Sequence, residues 1–129
     1  AAMYESLRAG HPVEVEEYAS LADSLGGGIG MQNQYSYSMC RDLLDDVVLV
    51  SEAEIYRAMQ TLYYEDRMVA EGGCVVGIAA LQAGKLTLTG PTATIITGRN
   101  LDMSVFTRIV SGQDVTLGDT TVKGMPYGA

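Results

Sequence analysis

Only two cysteines, one histidine and eight basic residues occur among the 129 residues of this chain. Cys40 and Cys74 show no C-x-x-C spacing and have no histidine beside them, so no tetrahedral metal-ligand set is offered. Both lie in apolar, helix-like stretches and are expected to be buried thiols. His11 precedes Pro12 with no acidic or nucleophilic motif around it. It reads as a surface residue, and neither a Ser-His-Asp nor a metallohydrolase mechanism has support. Lysine and arginine form no stripe that would neutralise phosphates, and sixteen acidic residues bring the net charge to -8, which argues against nucleic acid as a partner. No apolar run reaches the roughly 18 residues of a spanning helix. The first residues, Ala1-Ala2-Met3-Tyr4-Glu5, lack signal-peptide anatomy. A soluble cytoplasmic protein with no membrane partner is the expectation, and no internal repeat or low-complexity tract argues otherwise.

What is present suits a globular domain, or a piece of one: 47% of the residues are hydrophobic and 19% charged, too apolar for a disordered chain. The chain enters directly on helix-like residues without an initiating methionine and is expected to be cut from something longer. Residues 1–9 read as the end of a helix stopped by Gly10 and Pro12. Gly26-Gly27-Gly28-Ile29-Gly30 is loop. From Gln34 to Leu44 the pattern is helical, with Tyr35, Met39 and Leu43 at intervals of four. Val47-Val48-Leu49-Val50 reads as a strand buried on both faces of a parallel sheet. Ser51-Glu52-Ala53-Glu54 is a capping box that starts a helix running to about Arg67. Cys74 to Leu81 is small and apolar all round, as in a buried helix closed by Gly84. Thr92 to Thr97 reads as a second strand, and Asp102 to Val110 as another helix. Val115–Leu117 and Thr121–Lys123 suit either a hairpin or a frayed tail. This order predicts an α/β fold: part of a three-layer parallel sheet with flanking helices.

Three places invite chemistry, and each has a plainer reading. Glu71 stands immediately before the buried helix, whose positive end favours a carboxylate, and it needs no role beyond that. Thr97-Gly98-Arg99-Asn100 ends a predicted strand, where open α/β sheets place ligand groups, yet threonine is common in strands for packing reasons. The run Gly26 to Gly30 tempts toward phosphate binding, but it fails G-x-G-x-x-G and lacks the G-K-[ST] ending of a P-loop. Turn geometry explains it better.

Taken together, the segments SLADSLGGGIG, CRDLLDDVVLVSEAEIYRAM, MVAEGGCVVGIAAL and TATIITGRNLDMSVF resemble, in order and spacing, C-terminal stretches of the threonine dehydratase and serine racemase group. Within it, SLADSLGGGIG and TGRN resemble the ectoine and hydroxyectoine utilization dehydratases. The similarity runs from about Tyr4 to Val110. It implies the C-terminal part of a fold-type II pyridoxal-phosphate (PLP) enzyme large domain over residues 1–111, with 112–129 as a tail or short hairpin. It also implies that the Schiff-base lysine and the loop holding the cofactor phosphate lie upstream. No catalytic lysine is therefore assigned to Lys85 or Lys123, and the fragment alone is expected to be inactive and without bound cofactor.

On the same resemblance, Thr97 matches a serine whose hydroxyl bonds the pyridine nitrogen, with Gly98 and Asn100 beside it on the cofactor side. Glu71 matches a glutamate near the ring and the substrate side chain. Ser24 replaces the glycine of an A-D-G segment near the cofactor, and Arg99 replaces a glycine beside Thr97. No carboxylate in Ala1-Ala2-Met3-Tyr4 matches the cation site of some relatives, so no metal ligand is assigned. The chemistry implied is dehydration and deamination of a β-hydroxy amino acid, threonine-like or hydroxyectoine-derived, by an enzyme expected to be a homo-oligomer. The alternatives are a non-catalytic ligand-binding or regulatory module on the same pieces and, more remotely, a nucleotide-binding domain using Gly26 to Gly30.

Overall fold

The computed structural model describes residues 1–129, which divide into two compact units, Ala1–Tyr18 with Leu25–Leu49, and Ala19–Ser24 with Val50–Ala129. In the first unit, helix α1 (Ala2–Ala9) packs on α2 (Ser36–Leu43). Gly10 closes α1 at φ 79°, a conformation that suits glycine, and donates its N–H to Ser6 O at 3.0 Å. The Ser6 hydroxyl is fully buried and accepts from Val13 N at 3.0 Å. Asn33 starts α2 from outside: its Oδ1 accepts from Tyr37 N at 2.8 Å, and its Nδ2 donates to Ile29 O at 2.7 Å. The predicted stripe of Tyr35, Met39 and Leu43 is present on α2, but within this chain it faces solvent, and Tyr37 is the buried residue. Cys40, expected to be buried, is half-exposed.

The second unit is organised by α3 (Glu52–Asp66). Its capping box forms as expected: Ser51 Oγ accepts from Glu54 N at 3.3 Å and Glu54 Oε2 accepts from Ser51 N at 2.6 Å. From this helix Ile55, Tyr56, Ala58, Met59 and Leu62 enter the core. They meet Cys74 and Val75 from a 3₁₀ turn (Gly72–Val75), Ala79 from α4 (Val76–Gln82), and Phe106 and Ile109 from α5 (Met103–Val110). Asp102 caps α5, accepting from Ser104 N at 2.7 Å. Gln60 is a polar residue inside this core, and its Nε2 donates to Ile109 O and Met125 O, each at 2.8 Å.

The sheet differs from the expectation. Neither Val47–Val50 nor Thr92–Thr97 forms a ladder, and the regular sheet is an antiparallel hairpin of β1 (Val115–Leu117) and β2 (Thr120–Val122). The residue types at 47–50 and 92–97 suit strands paired on both edges, but a parallel ladder needs neighbouring strands, and this chain supplies none to them. Ile95 is accordingly 79% exposed. Val115 and Val122 bury one face of the hairpin against the core.

Asp114 fastens the hairpin: its carboxylate accepts from Lys123 Nζ and from Gly124 N, each at 2.8 Å. The hydrogen bonds from Lys123 and then Gly124 hold the Asp114 pKa below its ordinary value. A carboxylate whose folded pKa lies below its unfolded one contributes stability above the unfolded pKa and loses it as pH falls through the folded pKa. Urea midpoints are thus expected to be flat between about pH 7 and 5 and to drop below about pH 4. Asp114→Asn should blunt that drop; an identical acid profile in the variant would remove Asp114 from the explanation.

Candidate functional site

The residues singled out by the sequence come together where the chain crosses itself around Gly72. Both Glu52 carboxylate oxygens hold the upstream segment, accepting from Ser20 Oγ at 2.6 Å and Leu21 N at 2.8 Å. A Cβ on Gly72 would lie 2.5 Å from Leu21 C and closer still to its carbonyl oxygen, so only glycine permits this crossing. Glu71 precedes it with extended backbone and no side-chain cap bond, its N–H donating to Gly98 O at 3.3 Å. The Glu71 carboxylate lies alongside Gly98: a Cβ there would sit 3.4 Å from Glu71 Oε1.

Behind Thr97 and Gly98 stands Cys74, 2% exposed. Its Sγ lies 3.0 Å from Thr97 Oγ1 and 3.0 Å from Gly98 O, and accepts from Gly98 N at 2.8 Å. One turn on, Gly77 admits the Thr94 hydroxyl where a Cβ would overlap it. The run 92–98 is therefore seated on the Gly72–Val75 turn and on α4 without any strand pairing. Sequence reasoning placed Cys74 in the core but missed this contact, and it missed Gly72 and Gly77 altogether. The close spacing of small residues in EGGCVVGIAA was the available signal.

A cavity of about 310 Å³ opens beside this seat, lined by Ser24, Glu71 and Asn100 together with Asp23, Met59 and Leu101. Thr97 and Gly98 are not in its lining; they adjoin it through Glu71. Ser24, Thr97 and Asn100 are exposed, Glu71 and Gly98 half-buried. Arg99 is exposed and points no donor at a partner within the chain. Neither lysine is here: Lys85 Nζ pairs with Glu54 Oε2 at 2.7 Å, and Lys123 with Asp114 at 2.8 Å. His11 is exposed, with Nδ1 3.0 Å from Pro12 O. No helix is long and apolar enough to cross a membrane.

Residues 1–98 match the family model described as pyridoxal-phosphate dependent enzyme. The chain belongs to that family. Similar proteins of the family include a putative threonine dehydratase of Sinorhizobium fredii, 50% identical over 113 residues that make up 87% of this chain and 34% of that protein. A phenylserine dehydratase of Ralstonia pickettii is 36% identical, covering 83% of this chain and 33% of that one. The catabolic L-threonine dehydratase of Escherichia coli is 34% identical, covering 87% and 34%. Among solved structures, the serine racemase of Dictyostelium discoideum superposes with a TM-score of 0.63 at 25% identity, over 78% of this chain and 32% of that one. The pyridoxal-phosphate family chain studied here thus spans about a third of the length of these relatives, and its α/β elements are those of a fold-type II domain.

The family implies PLP. The donor set is of a kind that suits one side of that cofactor: an exposed threonine hydroxyl, a glycine beside it, and an asparagine and a carboxylate at the adjoining cavity. A Cβ on Gly98 would fill the space against Glu71. No amine is placed here to hold the aldehyde carbon.

Proposed function

We propose that this chain is the C-terminal part of a PLP-dependent dehydratase that deaminates a β-hydroxy amino acid, and that it forms the wall facing the cofactor ring. Residues 1–111 would belong to the enzyme's large domain and 112–129 would form a C-terminal appendage. The observation carrying this reading is the seating of Thr97-Gly98 against Glu71 at the edge of a cavity that Ser24 and Asn100 also line.

When bound, PLP supplies an electron sink for the bond-breaking at the substrate α-carbon. In this role Thr97 would donate its hydroxyl hydrogen to the ring nitrogen, and a neutral donor would leave that nitrogen unprotonated, which would moderate the sink and suit β-elimination. Gly98 would keep side-chain bulk away from the ring, and Asn100 and Ser24 would offer an amide and a hydroxyl from the cavity wall. Glu71 would lie near the substrate side chain, where its carboxylate could accept from and orient the β-hydroxyl. The threonine and phenylserine dehydratases among the relatives support a β-hydroxy amino acid as substrate. The SLADSLGGGIG and TGRN segments favour a hydroxyectoine-derived one. As a cytoplasmic homo-oligomer, the enzyme would cover in its assembly the exposed stripe of Tyr35, Met39 and Leu43.

Two outcomes test this. The chain alone, incubated with PLP and borohydride, is expected to give no reduced lysine adduct and no turnover of threonine; an adduct on Lys85 with turnover would overturn the assignment of the lysine to an upstream segment. In the full-length polypeptide, Thr97→Val keeps the side-chain shape but removes a hydrogen-bond donor, at a cost of about 1 to 3 kcal/mol, so PLP affinity is expected to fall roughly ten- to a hundredfold. Thr97→Asp should instead favour a protonated ring and change the cofactor's absorbance. Wild-type affinity and spectrum in both variants would reduce Thr97 to a packing residue.

A further inference from the structure

Cys74 touches both Thr97 and Gly98, yet the proposed function gives it no task. Its contacts can be resolved by counting protons. A thiol carries one hydrogen and is a weak acceptor. Gly98 N–H already points at Sγ, at 2.8 Å. The S–H hydrogen then has two oxygens within reach, Gly98 O and Thr97 Oγ1, each at 3.0 Å. Gly98 O is already served by the Glu71 N–H. Gly98 O has a second lone pair and can take the thiol hydrogen as well, but placing that hydrogen on Thr97 Oγ1 leaves no acceptor without a donor. It also decides where the threonine's own hydrogen goes: with Sγ donating to Thr97 Oγ1, that hydrogen must point away from the sulfur. Thr97 is an exposed residue, so an acceptor can reach its hydroxyl. The opposite polarity, with Thr97 donating to sulfur, would spend the hydroxyl hydrogen on a weak acceptor and turn a lone pair outward.

We infer that Cys74 is a positioning residue for the cofactor-facing hydroxyl: by donating to Thr97 Oγ1 and anchoring Gly98 N–H, it fixes Thr97 as an outward hydrogen-bond donor. This inference rests on the reading of Thr97 as the partner of the ring nitrogen. Cys74 itself is buried, and its polar contacts are with Thr97 and Gly98 alone. Its influence is on which way one hydrogen points, and hence on which ring nitrogen the site accepts: a neutral, accepting one.

The experiment is a double-mutant cycle on the full-length polypeptide, with PLP affinity of the cofactor-free protein measured by equilibrium dialysis and folding checked by circular dichroism and thermal melting. Cys74→Ala removes the donor and is expected to weaken PLP binding about tenfold, the equivalent of one hydrogen bond. Cys74→Ser keeps an O–H donor in the same place and should bind PLP within about threefold of wild type. In a Thr97→Val background, Cys74→Ala is expected to add clearly less than its tenfold loss, because the hydroxyl it orients is gone and only the Gly98 N–H anchor remains to be lost. Independent, additive losses in the cycle would overturn the inference and leave Cys74 as core packing. Weakened binding in Thr97→Val with wild-type binding in Cys74→Ala would overturn it while sparing the reading of Thr97. Wild-type binding in Thr97→Val would remove both. If Cys74→Ala does not fold, Cys74→Ser decides the matter: a folded serine variant that loses tenfold in PLP affinity contradicts donation as the role.

Discussion

Replacing Gly72 with alanine is expected to destabilise the protein by about 3 kcal/mol or more and to open the candidate cavity. The added methyl would meet Leu21 C at 2.5 Å, with the Leu21 carbonyl oxygen nearer still and Ala22 N at 3.0 Å. All three are backbone atoms, so no rotamer change relieves the overlap, and the segment bearing Ser24 has to move as a piece. Glu52 opposes that movement through its bonds to Ser20 and Leu21. Either those bonds stretch or the Gly72–Val75 turn withdraws from the core, where Cys74 and Val75 are buried. The urea midpoint of the chain and the PLP affinity of the full-length polypeptide should fall together. A variant with an unchanged midpoint would mean that the crossing of the two segments is looser than described. Gly84→Ala offers a contrast: nothing lies within 4 Å of its Cβ position, so its cost comes only from the φ of 68°.

A loss of about 1 to 3 kcal/mol is expected for Gln60→Met, because the half-buried Met125 O loses a donor and Ile109 O is left with the Gly112 N–H alone. Methionine matches glutamine in length and lack of branching, so the change isolates the amide from the volume. Gln60 Nε2 bonds Ile109 O at the end of α5 and Met125 O in the C-terminal segment, joining three parts of the second unit through one side chain at 2% exposure. The loss should be larger than for Thr61→Val on the exposed flank of the same helix, where the Thr61 hydroxyl bonds the Arg57 carbonyl and receives Gln82. Chemical denaturation of the two variants measures this; a Gln60→Met midpoint within the error of wild type would indicate that water replaces the amide.

Local features were legible in the sequence because their causes are local. The Ser51-Glu54 box, the left-handed Gly10 and Gly84, and the five α-helices each depend on residues within a few positions. The strand signals at 47–50 and 92–97 correctly reflect residue chemistry, but pairing depends on partners elsewhere, and none is found in this chain. Burial failed for Cys40, and the Tyr35, Met39, Leu43 periodicity is exposed, for the same reason: an apolar face says that something covers it, not that this chain does. At the site, the family resemblance drew attention to Glu71, Thr97, Gly98, Asn100 and Ser24, of which Ser24, Glu71 and Asn100 share one cavity. What it did not reveal were the residues that hold them. Gly72 matters because of Leu21, some fifty positions upstream, and Cys74 because of Thr97 and Gly98, 23 and 24 positions downstream. Separations of that size leave no periodic trace.

The bonds from Glu52 to Ser20 and Leu21 have a bearing on binding as well as on folding. Glu52 sits in the first turn of α3, so the segment leading to Ser24 is tied to the longest helix of its unit and not left as a free loop. A ligand entering the cavity meets a wall whose backbone has already surrendered its conformational freedom. Ordering such a surface at the moment of binding takes about 0.5 to 1.5 kcal/mol for each immobilised flexible side chain, and here most of that loss belongs to folding. The cavity is in this sense preorganised, and changes in α3, remote from any ligand, can tune affinity by loosening or tightening a wall they never form.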